Sequence, residues 1–108
     1  MLITDYSSIS FDFAYQRRPV LYYQFDAERF YQTRGMMLLD PTRELFGERV
    51  IRHQDVVASL HSFFAGDKKM QKKYRSRADS FFSFSDARNC ERIYEAIQMK
   101  RREKGVLD

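Results

Sequence analysis

The chain opens with a short apolar run, Met1 to Thr4, that stops at Asp5. The next residues, Asp5-Tyr6-Ser7-Ser8, are rich in helix-capping types, and Ile9, Phe13 and Ala14 then recur at helical spacing. Arg17 and Arg18 fall where a last helical turn favours cations, and Pro19 stops the helix. Val20 to Tyr23 is a second apolar run. The pattern predicts strand, tight corner, helix and strand, with a connection long enough for a parallel crossover.

Asp26 to Arg34 predicts a short helix with Phe30 and Tyr31 inward and Gly35 as its left-handed cap. Met36 to Leu39 is apolar without a pattern, and Asp40-Pro41-Thr42 is a turn signal. Gly47 to Ile51 predicts a third strand through Val50 and Ile51. Val56, Val57, Leu60, Phe63 and Phe64 form a helical stripe ended by Gly66. Asp67 is read as opening a helix with Met70, Tyr74, Ala78 and Phe81 on one face. A last helix from Asp86 places Cys90, Ile93, Tyr94 and Ile97 inward, followed by a fraying tail at Lys100 to Lys104.

Three parallel strands and about five helices make an α/β unit of partial Rossmann-like type. They supply only part of a doubly wound sheet, which usually has ~5–6 strands. The whole of residues 1–108 is therefore expected to be a single partial domain, the C-terminal segment of a larger one. Composition adds little against this: 44% apolar and 31% charged residues describe a globular chain. No apolar run reaches the ~18–20 residues of a membrane span, and no secretory signal is read at the start. A single cysteine excludes an internal disulfide framework.

Charge changes the picture more. Residues 1–50 carry a net charge of −1 and residues 51–108 a net of +5. The excess concentrates in Lys68, Lys69, Lys72, Lys73, Arg75 and Arg77. That run reads either as a solvated helix face or as a non-enzymatic basic module docking on an anionic membrane or nucleic acid. Its aromatic residues fall at core spacing, not as a base-stacking platform, so no nucleic acid is expected.

The corner Thr4–Ser8 is the sharpest chemical feature. Ligands of open α/β sheets bind outside the carboxyl ends of the strands. Ser7 and Ser8 offer hydroxyl donors to a phosphate, and Asp5 could accept from a ribose or polyol hydroxyl. The same residues also serve as plain helix caps. Asp12 either faces a ligand or complements the helix dipole. Arg34 before Gly35 is a phosphate contact or a surface arginine. His53 reads as a cap or surface residue. His61 has no partner at ligand spacing, so no metal is expected. Cys90 reads as a small core residue.

The segment Leu2-Ile3-Thr4-Asp5-Tyr6-Ser7-Ser8, with Phe11-Asp12-Phe13-Ala14, closely resembles the CDP-glycerol glycerophosphotransferase family of teichoic-acid and capsule polymerases. Arg18-Pro19-Val20-Leu21-Tyr22-Tyr23 resembles that family's next strand. Arg34-Gly35, with Asp40 and Gly47, resembles its arginine–glycine loop, and Phe82 to Ile93, with Asp86, its closing helix. The resemblance implies a glycosyltransferase-B-like fold of two Rossmann-like domains, whose C-terminal domain binds a CDP-glycerol or CDP-ribitol donor. It implies transfer of polyol phosphate to a growing chain at the inner face of the membrane, with no bound metal or other cofactor. Carried over, it makes Asp5, Ser7, Ser8, Asp12, Arg34 and Gly35 donor-binding residues. The family's catalytic histidine motifs lie upstream of this segment, and His53 and His61 do not stand in their place. No catalytic residue is thus expected here, and the missing half of the transferase is the implied partner. Ala87 stands where the family usually has glycine, so the turn there is expected to differ.

Overall fold

The computed structural model describes residues 1–35 and 39–105. Met36, Met37 and Leu38, most of the unpatterned apolar run, lie outside the described residues. Three strands, β1 (Leu2–Thr4), β2 (Val20–Tyr23) and β3 (Gly47–Val50), form one open parallel sheet in the order β1-β2-β3. Five helices accompany them: α1 (Ile9–Tyr15), α2 (Ala27–Arg34), α3 (His53–Ala65), α4 (Lys72–Phe81) and α5 (Asn89–Glu103). The expected α/β class with three parallel strands and five helices is what the chain adopts.

The register Leu2↔Val20, Thr4↔Tyr22 and Tyr22↔Arg49 sets the two faces. Alternation puts Leu2, Val20 and Tyr22 on one face and Leu21 on the other. Phe13 of α1 and Leu45 pack with Leu2, Val20 and Tyr22. Ala14 of α1 meets Ala78 of α4 against Phe46, and both alanines are fully buried. Alanine permits that close approach of two helices; a larger side chain at either position would separate them. On the opposite face α3 contacts β2 and β3. Gly47 is required where β3 begins, because a Cβ there would lie 1.8 Å from the Val20 carbonyl oxygen.

Several sequence expectations are corrected. Helix α1 ends at Tyr15, so Arg17 and Arg18 are not in its last turn. Arg17 reverses the chain with φ 57° and donates to the Ala14 and Tyr15 carbonyls, to Asp79 and to Ser85. Residue Ile51 lies beyond β3 and is exposed. Asp67 does not open a helix. Its carboxylate accepts from the Lys69 N–H, Lys68 takes φ 59°, and α4 starts five residues later with Gln71 as N-cap.

The last helix differs most. It runs to Glu103, so Lys100 to Glu103 are helical, with an ion pair between those two residues. Its apolar stripe is not inward. Ile93, Tyr94 and Ile97 are each more than half exposed, and Cys90 is exposed rather than a core residue. Periodicity correctly marked a helix face that demands cover, but nothing among the described residues covers it. The same is true of Val57 and Phe64 on α3, which stay exposed while Val56, Leu60 and Phe63 are half-buried.

Candidate functional site

The carboxyl ends of the three strands meet around Gln24, the residue after β2, which is 1% exposed. Its backbone N–H donates to the Val50 carbonyl at 2.9 Å, extending the pairing with β3. Its side-chain Nε2 donates to the Asp5 carbonyl at 3.2 Å. Its Oε1 accepts from the Tyr31 hydroxyl at 3.2 Å and from Arg49 Nε at 2.7 Å. One buried amide thus ties the ends of β1, β2 and β3 to α2. A buried amide with both its oxygen and its nitrogen bonded fixes geometry, since losing those bonds leaves a desolvated polar group.

The corner after β1 is held from both sides. The Tyr6 ring stacks on Phe30 of α2 with centroids 3.5 Å apart and planes 1° from parallel. The Tyr6 hydroxyl donates to Asp26 Oδ1 at 2.9 Å. Burial first, and then the Asp26 carboxylate, push the Tyr6 phenol well above its ordinary range, so it stays a donor. Burial likewise raises Tyr22 and Tyr31. Asp5 Oδ1 accepts from the Tyr6 N–H at 2.6 Å. Ser7 Oγ accepts from the Ile9 N–H at 3.4 Å, a long bond. Ser8 occupies the N-cap position of α1 and its side chain caps nothing. The buried Ser10 donates to the Ser7 carbonyl at 3.1 Å. Asp5, Tyr6, Ser7, Ser10, Tyr22, Gln24 and Tyr31 line a cavity of about 60 Å³. A larger depression, about 620 Å³, opens near Met1 and Pro19 at the amino ends of the strands, away from this corner. Size alone therefore does not locate the site.

The other sequence-derived residues stand apart. Asp12 is exposed in the first turn of α1 and borders a depression shared with Tyr15, Phe82 and Phe84, not the corner cavity. Arg34 is the exposed last residue of α2, and Gly35 follows with φ 77°. His53 begins α3 and His61 lies within it, both exposed. Among the described residues no cluster of His, Cys, Asp or Glu could hold a metal.

The six basic residues do not form one free surface. Arg77 donates to the Leu45 carbonyl at 2.7 Å and, with Lys73, lies over the Tyr74 ring. Lys68 sits 6.0 Å from the centroid of Phe64, which is 62% exposed. Asp86, at the start of the closing segment, is structural. It accepts from the Arg88 N–H at 2.9 Å and from both terminal nitrogens of Arg92, and its carbonyl accepts from the Tyr15 hydroxyl. Those Arg92 bonds and that N–H bond lower its carboxyl to about 2. Ala87 has no positive φ, so this junction closes without needing a glycine at that position.

Sequence reasoning found the corner and missed Gln24, Arg49, Tyr31 and Asp26. A glutamine directly after an apolar run was the one available signal for the first, and nothing in the pattern distinguished Arg49 from a surface arginine.

The fold is an open parallel α/β sheet with a serine-bearing corner at the carboxyl ends of its strands, the edge at which sheets of this kind take their ligands. Residues 1–99 match the family described as CDP-Glycerol:Poly(glycerophosphate) glycerophosphotransferase, and the chain belongs to that family. It is 36% identical over 97 residues to the minor teichoic acid biosynthesis protein GgaB of Bacillus subtilis, covering 90% of this chain and 10% of that protein. It is 27% identical over 97 residues to the teichoic acid poly(glycerol phosphate) polymerase of the same organism, covering 90% and 13%. It is also 27% identical over 99 residues to the teichoic acid glycerol-phosphate transferase of Staphylococcus aureus, covering 89% and 25%. The chain thus spans between a tenth and a quarter of the length of these relatives. No solved structure matches it.

Proposed function

We propose that this chain is the donor-binding segment of a polyol-phosphate transferase of teichoic-acid or capsule synthesis, taking CDP-glycerol or CDP-ribitol. The reading treats residues 1–108 as the C-terminal segment of a Rossmann-like domain. The observation that carries it is the Asp5–Ser8 corner, fixed by Gln24 and Tyr6 at the strand ends while the Ser8 hydroxyl is left free of capping. Ser7 and Ser8 then donate to the donor's phosphates, and Asp5 accepts from a ribose or polyol hydroxyl. Arg34 and Gly35, at the end of α2, and Asp12 complete the donor contacts.

In the transfer, an acceptor hydroxyl attacks the β-phosphorus in line. The bond to the oxygen bridging the two phosphates breaks, and CMP leaves with the electron pair. Hydroxyl and guanidinium donors stabilise the charge that develops there. The acceptor's proton needs a general base, and the family resemblance assigns that base to histidines outside these residues. The 108-residue chain accordingly binds donor and does not transfer. Incubation with CDP-glycerol and a lipid-linked primer should yield no transferred glycerol phosphate; transfer would refute this.

The binding test is calorimetric titration with CDP beside thermal unfolding. Ser7→Ala, Ser8→Ala and Arg34→Ala should weaken CDP, each by up to ~3 kcal/mol if a charged phosphate is the partner. Unchanged affinity across all three, in a chain that binds CDP, would end the assignment.

Peripheral contact with an anionic inner membrane face is a second component. Exposed Phe64 beside Lys68, with Lys69, Lys72, Lys73 and Arg75 nearby, favours it. No helix among the described residues is long and apolar enough to cross a membrane. Sedimentation with anionic vesicles should show binding at low salt and release as salt rises; no binding at low salt would remove this component.

A further inference from the structure

Arg49 is a half-buried arginine that forms no ion pair among the described residues. Arg17, Arg52, Arg88 and Arg92 each pair with a carboxylate, whereas Arg49 pairs with none among the described residues. Asp26 accepts from the Tyr6 hydroxyl and Asp5 from the Tyr6 N–H, and neither carboxylate forms an ion pair with Arg49. Among the described residues Arg49 donates only to a neutral group, the Gln24 amide oxygen, at 2.7 Å from Nε.

Its position is equally specific. Arg49 stands in register with Tyr22, which stands in register with Thr4, so the three share one row and one face of the sheet. That row lies at the carboxyl end of each strand. The amide that holds Arg49 is itself fixed by Tyr31 and by the carbonyl of Asp5, the first residue of the corner. A cation taken partly out of water and left unpaired is costly. Anchoring through Nε leaves the two terminal nitrogens to meet an oxyanion, and a pre-oriented guanidinium loses little freedom on doing so.

We infer that Arg49, oriented by buried Gln24, binds the diphosphate of the nucleotide donor from the β3 side of the corner. This deepens the donor-site reading and rests on it. Ser7 and Ser8 approach the phosphates from the β1 side, and Arg49 adds positive charge from the β3 side to that of Arg34.

The test titrates the 108-residue chain with CDP and with cytidine, for the parent, Arg49→Gln and Arg49→Lys, with thermal unfolding of each. Arg49→Gln should lose tenfold or more in CDP affinity while cytidine affinity and melting temperature stay close to the parent's. Arg49→Lys, which keeps the charge but not the Nε anchor, should lose less, and it serves as the test if the glutamine variant does not fold. CDP affinity should also fall with salt in the parent and less steeply in Arg49→Gln. Unchanged CDP affinity in both variants overturns the inference, and so does an equal loss for CDP and cytidine, which would mark a structural role. A parent that binds no CDP overturns the donor-site reading and this inference together. A parent that binds CDP and is weakened by Ser8→Ala, but not by either Arg49 variant, overturns this inference alone.

Discussion

Gln24 and Ser8 at the strand ends and Asp86 ahead of α5 carry separable roles, and substitution separates them. Gln24 is a structural tie: Gln24→Leu would leave the part-buried Tyr31 hydroxyl and Arg49 Nε without the oxygen they share. It should cost about 1–3 kcal/mol in denaturant unfolding. Ser8 caps nothing, so Ser8→Ala should unfold within about 0.5 kcal/mol of the parent. A loss near 1 kcal/mol would restore the capping reading. Asp86 adds a pH dependence. Its folded carboxyl is depressed to about 2 by Arg92 and the Arg88 N–H. The stabilisation is therefore complete above the unfolded value near ~3.9 and is lost as pH falls through about 2. Asp86→Asn should flatten the unfolding profile of the chain across that window. Of these residues, motif and resemblance singled out Ser8 and Asp86, though not the bonds that Asp86 makes. Gln24 and Arg49 were not, because a polar residue at the end of a short strand carries no periodic signal until the sheet brings its partners together.

At the scale of elements, the strands and α1 followed from apolar runs and punctuation. Pro19, Gly35 and Gly66 fell where the chain turns. The errors had local causes. Arg17 and Lys68 both adopt positive φ, which non-glycine sequence does not announce, and each displaced a helix boundary. Gly47 carried a meaning beyond its turn signal, since β3 begins against the Val20 carbonyl. Gly47→Ala should push β3 from β2 and destabilise the fold by about 1–3 kcal/mol or more, read by chemical denaturation. A neutral substitution would show that β3 can shift without penalty.

Across the whole molecule, the extents are 60 × 37 × 19 Å, an elongated form with much of its apolar surface exposed. The stripe Ile93, Tyr94 and Ile97 on α5 and the exposed Phe64 on α3 are apolar surface without cover among the described residues. Apolar surface of that kind drives association. Size-exclusion elution should shift with concentration for the parent, and Ile93→Lys with Ile97→Lys should abolish the shift. Concentration-independent monomer from the parent would show those faces to be tolerated in water. The sequence located these stripes correctly but could not say what buries them, because cover is a property of the fold and not of the helix.

The claim that organises these observations is that the strand-end corner receives a cytidine diphosphate group. Amide shift mapping by NMR during CDP titration tests it most directly. The account predicts saturable shifts at Asp5 to Ser8, Gln24, Arg34, Gly35 and Arg49, with α5 unmoved. Absence of saturable shifts, or shifts confined to the cations of α4 and α5, would contradict it.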